Sequence, residues 1–239
     1  FSGRLTAPLV FAGAVAKQAL AQYGIIVGSH ILQINDIKEE RFNPMGVSDA
    51  ELAELHTKKF AVMDDAVGEK MQERILQAKS ELNSVGGVIE AIALHLPAGI
   101  GAPYFDSVES MLSHALFSVP AVKGVEFGDG FGFARLTGAE ANDALHYVDG
   151  KVKALTNHNG GVTGGITNGM PFVVRVAIKP TPSIAREQQT VNLKEQADTT
   201  LAIVGRHDPC IVQRAVPVIE AVVGWTLWDL LLEAKKWEK

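Results

Sequence analysis

A long apolar segment near the C-terminus constrains the fold most. Residues 211–232 are largely aliphatic, but Gln213, Arg214, Glu220 and Asp229 interrupt the run. A membrane-spanning helix needs about 20 consecutive and predominantly apolar residues. The interrupted pattern therefore predicts a helix buried in a protein core, and the rest of the chain must supply the apolar surface that covers it.

The composition is that of an ordinary globular protein. Of 239 residues, 47% are hydrophobic and 21% are charged, which suffices for one large core. The formal net charge of −5 argues against nucleic-acid or acidic-membrane partners, although it allows a local basic pocket. The single cysteine, Cys210, excludes an internal disulfide and fits a reducing, cytoplasmic compartment.

Helical and strand signals alternate without a regular βαβ rhythm, which predicts an α+β fold. Helices are expected after Thr6-Ala7-Pro8, at the capping box Ser48–Glu51, over residues 66–82, after a cap at Asp106 with Glu109, and over residues 211–232. Strands are expected at 24–34, 87–96, 122–136 and 171–178, with the alternation and turns typical of antiparallel sheets. We expect one domain, 1–239, in which residues 35–83 form a charged, solvated helical excursion without chemistry.

Two segments have the composition of binding loops, but each has a plainer explanation. The glycine-rich loop 157–169 could bring backbone N–H groups close to an anion or a flat cofactor. Glycine pairs are more often turns, and the spacing matches no Walker or dinucleotide fingerprint. Residues 179–183 place a lysine and two hydroxyls on proline-stiffened backbone, although a simple strand exit explains them about as well.

The segment Gly205-Arg206-His207-Asp208-Pro209-Cys210 is harder to explain by packing alone. His207, Asp208 and Cys210 could be metal ligands, but no second ligand pair with zinc-like spacing accompanies them. A nucleophilic Cys210 would need a partnered histidine, so a small buried residue at a helix start is the favoured interpretation. Arg206 and Asp208 are the better candidates, as an anion clamp and a general base.

The last segment, followed by Arg214-Ala215-Val216-Pro217, resembles the C-terminal signature of the chorismate synthase family. Five further stretches resemble family blocks, in family order. They are NSVGGVIE (83–90), PAGIG (97–101), AVKGVEFG (121–128), GGVTGGITNG (160–169) and KPTPSI (179–184). Together with the signature they cover most of the chain, so chance similarity is negligible.

The resemblance implies a lyase of the shikimate pathway of aromatic amino acid biosynthesis. Family members convert 5-enolpyruvylshikimate 3-phosphate into chorismate and phosphate by a 1,4-elimination that requires reduced FMN without net redox change. The resemblance also implies a layered β-α-β sandwich of mostly antiparallel sheets on central helices, and a homo-oligomer, commonly a tetramer. It leaves open whether the enzyme reduces its own flavin from NADPH or uses an external reductant.

The resemblance assigns roles residue by residue. The flavin positions correspond to Phe1, Ser2, Pro120, Ala121, Gly164, Lys179, Pro180, Thr181, Pro182, Ser183 and Arg206. Substrate positions correspond to Ser2, Arg4, Arg206 and Asp208, and Asp208 also matches the acidic residue that handles a proton near the flavin. The first segment reads FSGRLT where many relatives read RSSARET, so its contacts differ in part.

The family's two catalytic histidines lie in upstream segments that this sequence does not contain. None of the seven histidines present matches their contexts, so neither role is transferred. The chain is therefore expected to correspond to the C-terminal two-thirds of the enzyme and to be inactive by itself. The alternatives are a non-catalytic flavin- or anion-binding module, and a structural fragment that holds an oligomer together through the helix over 218–232.

Overall fold

A computed structural model describes residues 2–235 of the chain. Within them the helices are α1 (Ala7–Ala21), α2 (Asp49–Thr57), α3 (Asp65–Ser80), α4 (Val108–Phe117) and α5 (Val212–Lys235). The strands are β1 (Ile26–Ile34), β2 (Ile37–Lys38), β3 (Gly87–Leu94), β4 (Val122–Phe127), β5 (Leu145–Val148), β6 (Lys151–Ala154), β7 (Val162–Thr163), β8 (Ile166–Thr167), β9 (Phe172–Ile178), β10 (Gln188–Asn192) and β11 (Ala197–Leu201).

A five-stranded antiparallel sheet forms the centre of the fold. Its strand order is β2-β1-β3-β9-β4, and the other strands form three separate hairpins, β5–β6, β7–β8 and β10–β11. The inner strands β3 and β9 are almost entirely buried, because protein covers both faces of the sheet. Their valine, isoleucine and alanine residues suit a strand that is packed on two sides.

Helices α1 and α5 pack side by side on one face of the sheet, and α4 packs beside α5. Gly13 of α1 lies so close to α5 that a Cβ there would be 2.3 Å from the Ala221 Cβ. Farther along α5, the ring centroid of Trp228 is 5.8 Å from that of Tyr23, which lies just after the end of α1. Since both contacts advance along the chain together, the two helices run parallel and begin at the same end of the molecule.

Helix α5 has the length and composition of a membrane span, with a hydropathy of 1.6 over its most apolar window. However, 67% of that window is buried inside the fold. The prediction of a buried core helix is confirmed, because α1, α4 and the sheet supply the apolar environment that the segment requires.

The outer face of α1 remains open to solvent within residues 2–235. Phe11 is 75% exposed and Val15 is 55% exposed on this face, beside Pro8 and Ala12. A helix that is apolar on all sides is typical of one that is buried on all sides. Apart from Lys17 and Gln18, α1 is apolar around its circumference, so within residues 2–235 it leaves an apolar face exposed.

The opposite face of the sheet is covered by the excursion at 35–83. Its helix α2 begins with the predicted capping box, in which Glu51 N donates to Ser48 Oγ and Ser48 N donates to Glu51. Leu52 and Leu55 of α2 pack with Phe42 against this face. The helical prediction is confirmed, but the excursion also contributes buried residues and is not merely a solvated surface.

Two element boundaries differ from the sequence prediction. The strand expected over 122–136 ends at Phe127, because Gly128 and Gly130 adopt φ values of +54° and +52°, and the chain then forms the 3-10 helix Gly130–Arg135. The cap of α4 is Ser107, whose Oγ accepts from Ser110 N at 3.1 Å, and not Asp106. Either residue type can cap a helix, so composition alone did not distinguish them.

The α+β class is confirmed, as a largely antiparallel sheet packed on a layer of helices.

Candidate functional site

Most of the predicted site residues lie at one end of the strands of the five-stranded sheet, on the side where β4 begins and β9 ends. We call it the site edge. Lys179 N donates to Ala121 O at 2.9 Å, which places the β9 exit beside Pro120 and Ala121. Ser84 Oγ, just before β3, donates to Thr181 O at 2.6 Å. The segments 120–121 and 179–183, distant in sequence, are therefore neighbours.

The loop 205–210 lies at the same edge. Its Pro209 O accepts from Val85 N at 2.8 Å, immediately before β3. His207 connects the loop to the β9 exit, since its Nδ1 lies 3.3 Å from Ser183 Oγ and its Nε2 lies 2.7 Å from Ile203 O. A carbonyl can only accept, so Nε2 carries the proton and the Nδ1 of a neutral ring accepts from Ser183. His207 thus positions the loop, a role that the sequence did not reveal.

Asp208 forms an ion pair just before the first turn of α5. Its Oδ2 lies 2.5 Å from Arg214 Nη1, and the side chains of Asp208 and Arg214 are 27% and 67% exposed. The neighbouring Arg206 is exposed to solvent. The sequence predicted the two loop residues but missed Arg214 as a partner, because a contact from a loop into a helix has no periodic signal.

Ser2 and Arg4 belong to the same end of the molecule. They lie at the 3-10 helix Gly3–Thr6, where Ser2 Oγ accepts from Arg4 N at 3.3 Å. Because α1 and α5 run parallel, their first residues lie at the same end of the molecule. The N-terminal turn before α1 and the loop 205–210 before α5 therefore lie at that end. Phe1, the remaining predicted flavin contact in this segment, lies outside the described residues.

Gly164 is separated from the other predicted site residues. It lies in the β7–β8 hairpin, where the next residue, Gly165, accepts from Val108 N at 3.0 Å at the start of α4. Pro120 follows the end of the same helix. A helix of 10 residues is about 15 Å long, so the two positions lie at opposite ends of α4.

The glycine-rich loop is organised by internal contacts. Asn157 is 3% exposed; its Nδ2 donates to Pro44 O at 2.7 Å and Pro171 O at 2.8 Å, and its Oδ1 accepts from Gly161 N at 2.8 Å. These bonds use the polar groups of the loop within the protein. The geometry favours the turn interpretation over an anion cradle for this part of the loop.

Cys210 lies in the hydrophobic core and is 2% exposed. Burial raises the pKa of its thiol to about 11, so the group stays protonated at neutral pH. The interpretation as a small buried residue at a helix start fits this position, whereas a nucleophile requires a thiolate. Within residues 2–235, no three His, Cys, Asp or Glu side chains are arranged to hold a metal ion.

Comparison with known proteins decides the family. A family model described as chorismate synthase matches residues 1–232. This chain belongs to the chorismate synthase family. The chorismate synthase of Thermococcus gammatolerans is 45% identical over 238 residues, that of Korarchaeum cryptofilum 43% over 236, and that of Lancefieldella parvula 41% over 241.

The tertiary structure agrees with that of a solved chorismate synthase. A structure described as the crystal structure of chorismate synthase superimposes with a TM-score of 0.79 at 31% identity, over 97% of this chain and 64% of the other. The chain also spans 65%, 64% and 63% of the three curated chorismate synthases named above. It therefore represents just under two-thirds of the length of these relatives.

The donors at the site edge fit the flavin that the chorismate synthase resemblance implies. Arg206 and Lys179 present exposed cations, and Ser183 presents a hydroxyl. Thr181 Oγ1 is buried without a hydrogen-bond partner among the described residues, which leaves one polar group available for a ligand. Cations and hydroxyls on rigid backbone are suited to a flat ligand that carries a phosphate.

Proposed function

We propose that this chain provides the flavin-binding portion of a chorismate synthase, which converts 5-enolpyruvylshikimate 3-phosphate into chorismate and phosphate by 1,4-elimination. One observation carries the proposal: the segments 120–121, 179–183 and 205–210 converge at the site edge. The family membership suggests the reaction, and the convergence supports the site edge as the place where this chain contributes to it.

Binding of anions is the first role of the site edge. Arg206, Lys179 and Arg4 are exposed cations on three separate segments, in a chain with a net charge of −5. Such a cluster creates a local positive field that the net charge does not show. In this proposal they hold the phosphate of reduced FMN and the carboxylates and phosphate of the substrate. When bound, the reduced flavin would supply the electron chemistry of the elimination.

Proton handling is the second role, and we assign it to Asp208. Its carboxylate is partly accessible, and Arg214 fixes its position. A positioned general acid or base contributes about 10²–10⁴-fold to a rate. Arg214 is in this view a positioning residue, because it acts through Asp208.

A titration of the chain with FMN and with reduced FMN tests the proposal. We expect Arg206→Gln to weaken binding by about 1.5–3 kcal/mol, the range for a hydrogen bond to a charged group. Arg135→Gln is the matched control. Arg135 is also exposed, but it follows the last residue of β4, at the opposite end of the strands from the site edge. Equal affinities for the two variants would remove Arg206 from the flavin site.

Activity provides a second test. We expect residues 1–239 with reduced FMN and substrate to form no chorismate, since the upstream histidine segments of the family are not part of this sequence. In a whole chorismate synthase that carries this sequence, Asp208→Asn should lower kcat at least about tenfold while flavin still binds. Unchanged turnover would reject the role of Asp208 in proton transfer.

The proposal includes a cytoplasmic homo-oligomer, commonly a tetramer in this family. Support comes from the open apolar face of α1, where Phe11 is 75% exposed. Light scattering after size exclusion measures the mass directly, and a monomer at micromolar concentration would contradict this part of the proposal.

A further inference from the structure

Four neighbouring strands place charged residues in one row on the face of the sheet opposite α5. The pairs in register are His30 with Glu90, Glu90 with Arg175, and Glu126 with Arg175. Residues directly opposite each other on adjacent strands lie on the same face. The row therefore runs across β1, β3, β9 and β4, and we call it the ionic row.

The side chains of the ionic row contact one another in sequence. His30 Nε2 lies 3.0 Å from Glu90 Oε2, and Arg175 Nη1 donates to Glu90 Oε1 at 3.0 Å. Arg175 Nε donates to Glu126 Oε1 at 2.6 Å, and its Nη2 donates to Gly128 O. His30 and Glu90 are fully buried, and Arg175 is 4% exposed. Charges that are buried this deeply must compensate one another.

The ionic row also binds the segment that covers it. We call residues 39–64 the cover. Glu39 contacts His30 Nδ1 and accepts from Met63 N at 3.0 Å and Asp64 N at 3.1 Å. Glu90 accepts from Phe42 N at 2.6 Å. The start of the cover is thus bound to Glu90 and its end to Glu39, and His30 contacts both carboxylates.

With Glu39 and Glu90 ionised, the two contacts of His30 need two ring protons. Nδ1 faces Glu39 and Nε2 faces Glu90, and a carboxylate can only accept. The other groups around it are the Phe42 ring at 4.3 Å, and Leu52 and Leu55 from α2 in the adjoining apolar cluster. Beyond Glu90, the ionic row continues through Arg175 to Glu126, and Arg41 of the cover lies 3.8 Å from Asp129, which also pairs with His158. In the group formed by Glu39 and the ionic row, two cations face three carboxylates when His30 is protonated, and one cation faces three when it is neutral.

The direction of the pKa shifts agrees with this geometry. Burial lowers the pKa of His30, but the hydrogen bonds and charges of Glu39 and Glu90 outweigh it and raise the pKa above the usual value. Burial raises the pKa of Glu90, but the hydrogen bond and charge of His30, with the Phe42 amide and Arg175, hold it below the usual range.

We propose that His30 is a proton-operated latch: as an imidazolium it bridges Glu39 and Glu90 and holds the cover on the sheet, and its deprotonation releases the cover. The sign follows from linkage. Because folding raises the His30 pKa, its contribution is complete below the unfolded pKa of about 6.5 and is lost as the pH rises through the folded pKa. Because folding lowers the Glu90 pKa, that contribution is lost only in acid, as the pH falls through the folded value.

Two measurements on the 239-residue chain test the latch. A pH titration followed by imidazole ¹⁵N spectra should show both His30 nitrogens protonated at low pH, with a midpoint above the ordinary value of 6.5. Hydrogen exchange, corrected for the intrinsic rate, should show the amides of Phe42, Met63 and Asp64 losing protection above the folded pKa of His30. Each unit by which folding raises that pKa corresponds to about a tenfold loss. Amides of β9 should keep their protection.

Matched variants separate the latch from general alkaline instability. His30→Gln should show low protection of the three cover amides at every pH, whereas His95→Gln should behave like the original chain. His95 is a suitable control because it pairs with Asp49 at 3.3 Å but is 58% exposed. If His30→Gln does not fold, the spectra of the original chain still decide. A His30 midpoint at or below 6.5, or protection of the cover that does not change through the titration, would overturn the proposal.

Discussion

The two faces of the central sheet are stabilised by different physics. Towards α5, strand β3 presents Ile89, Ala91 and Ala93, which join the large aliphatic core. Towards the cover, the alternating position Glu90 joins the ionic row. Adjacent residues of one strand thus serve two environments, because successive side chains of a strand point to opposite faces.

This difference separates stability from specificity. Aliphatic packing is roughly proportional to buried area and is not directional, so it tolerates small changes in shape. The ionic row requires each charge opposite its partner, and a slip of one residue would move every charge into the aliphatic core. We infer that the row defines strand register, while the α5 face provides most of the hydrophobic stabilisation.

The largest effect should follow from breaking the ionic row. Arg175→Met removes the cation between Glu90 and Glu126 and should lower the free energy of unfolding by about 3–5 kcal/mol, as for other broken buried pairs. Urea denaturation measures the loss. Arg135→Met controls for the removal of an exposed arginine and should change stability little. A loss below about 1 kcal/mol for Arg175→Met, the level of an exposed ion pair, would contradict the row.

A smaller effect should follow where two helices touch. Alanine normally stabilises a helix relative to glycine, but a Cβ at Gly13 would lie 2.3 Å from the Ala221 Cβ. We expect Gly13→Ala to cost about 1–3 kcal/mol, because overpacking displaces α1 from α5. Thermal denaturation checks the sign. An increase in stability would show that the α5 face is looser than the contact indicates.

Trimming the aliphatic face should cost less still. Ile89 is fully buried on the α5 face, whereas the next residue, Glu90, points to the other face. Ile89→Val should lower stability by about 0.5–1.5 kcal/mol. The same loss is expected at pH 6 and pH 9, since Ile89→Val removes a methylene group and changes no charge. A loss that depends on pH would mean that the two faces are energetically coupled.

The last prediction needs no substitution and concerns the reactivity of Cys210. Burial raises its pKa to about 11. At pH 8 a thiol reagent should label the folded chain about 100-fold or more slowly than the chain in denaturant, because little thiolate is present. The masses of labelled samples over time give both rates. Rapid labelling of the folded chain would show that water reaches the α5 face near this residue.

Several features could be predicted from the sequence because their signals are local. The interruptions in residues 211–232 predicted the buried α5, and Ser48 with Glu51 predicted the start of α2. The α+β class and the family resemblance were also confirmed. The boundary of β4 was missed because it depends on the approach of Gly128 to the distant His158 O, 2.0 Å from the position of an added Cβ.

The candidate site was predictable only in part. The residues of segments 120–121, 179–183 and 205–210 were named from the sequence, and their roles stay predictions. Their convergence, the anchoring of the loop by His207 and the pairing of Asp208 with Arg214 depend on which chain segments meet at the sheet edge. The separation of Gly164 from this group likewise depends on the direction of α4.

By itself, the sequence determined the periodicities, the caps and the family, because these depend on residues close along the chain or on blocks in a given order. Only the tertiary structure decided which charges meet. The residues of the ionic row lie far apart along the chain, with Arg175 lying 145 positions after His30. No local pattern connects them. Strand order and register place them in one buried row, where the low polarity of the interior makes each contact depend on its partner.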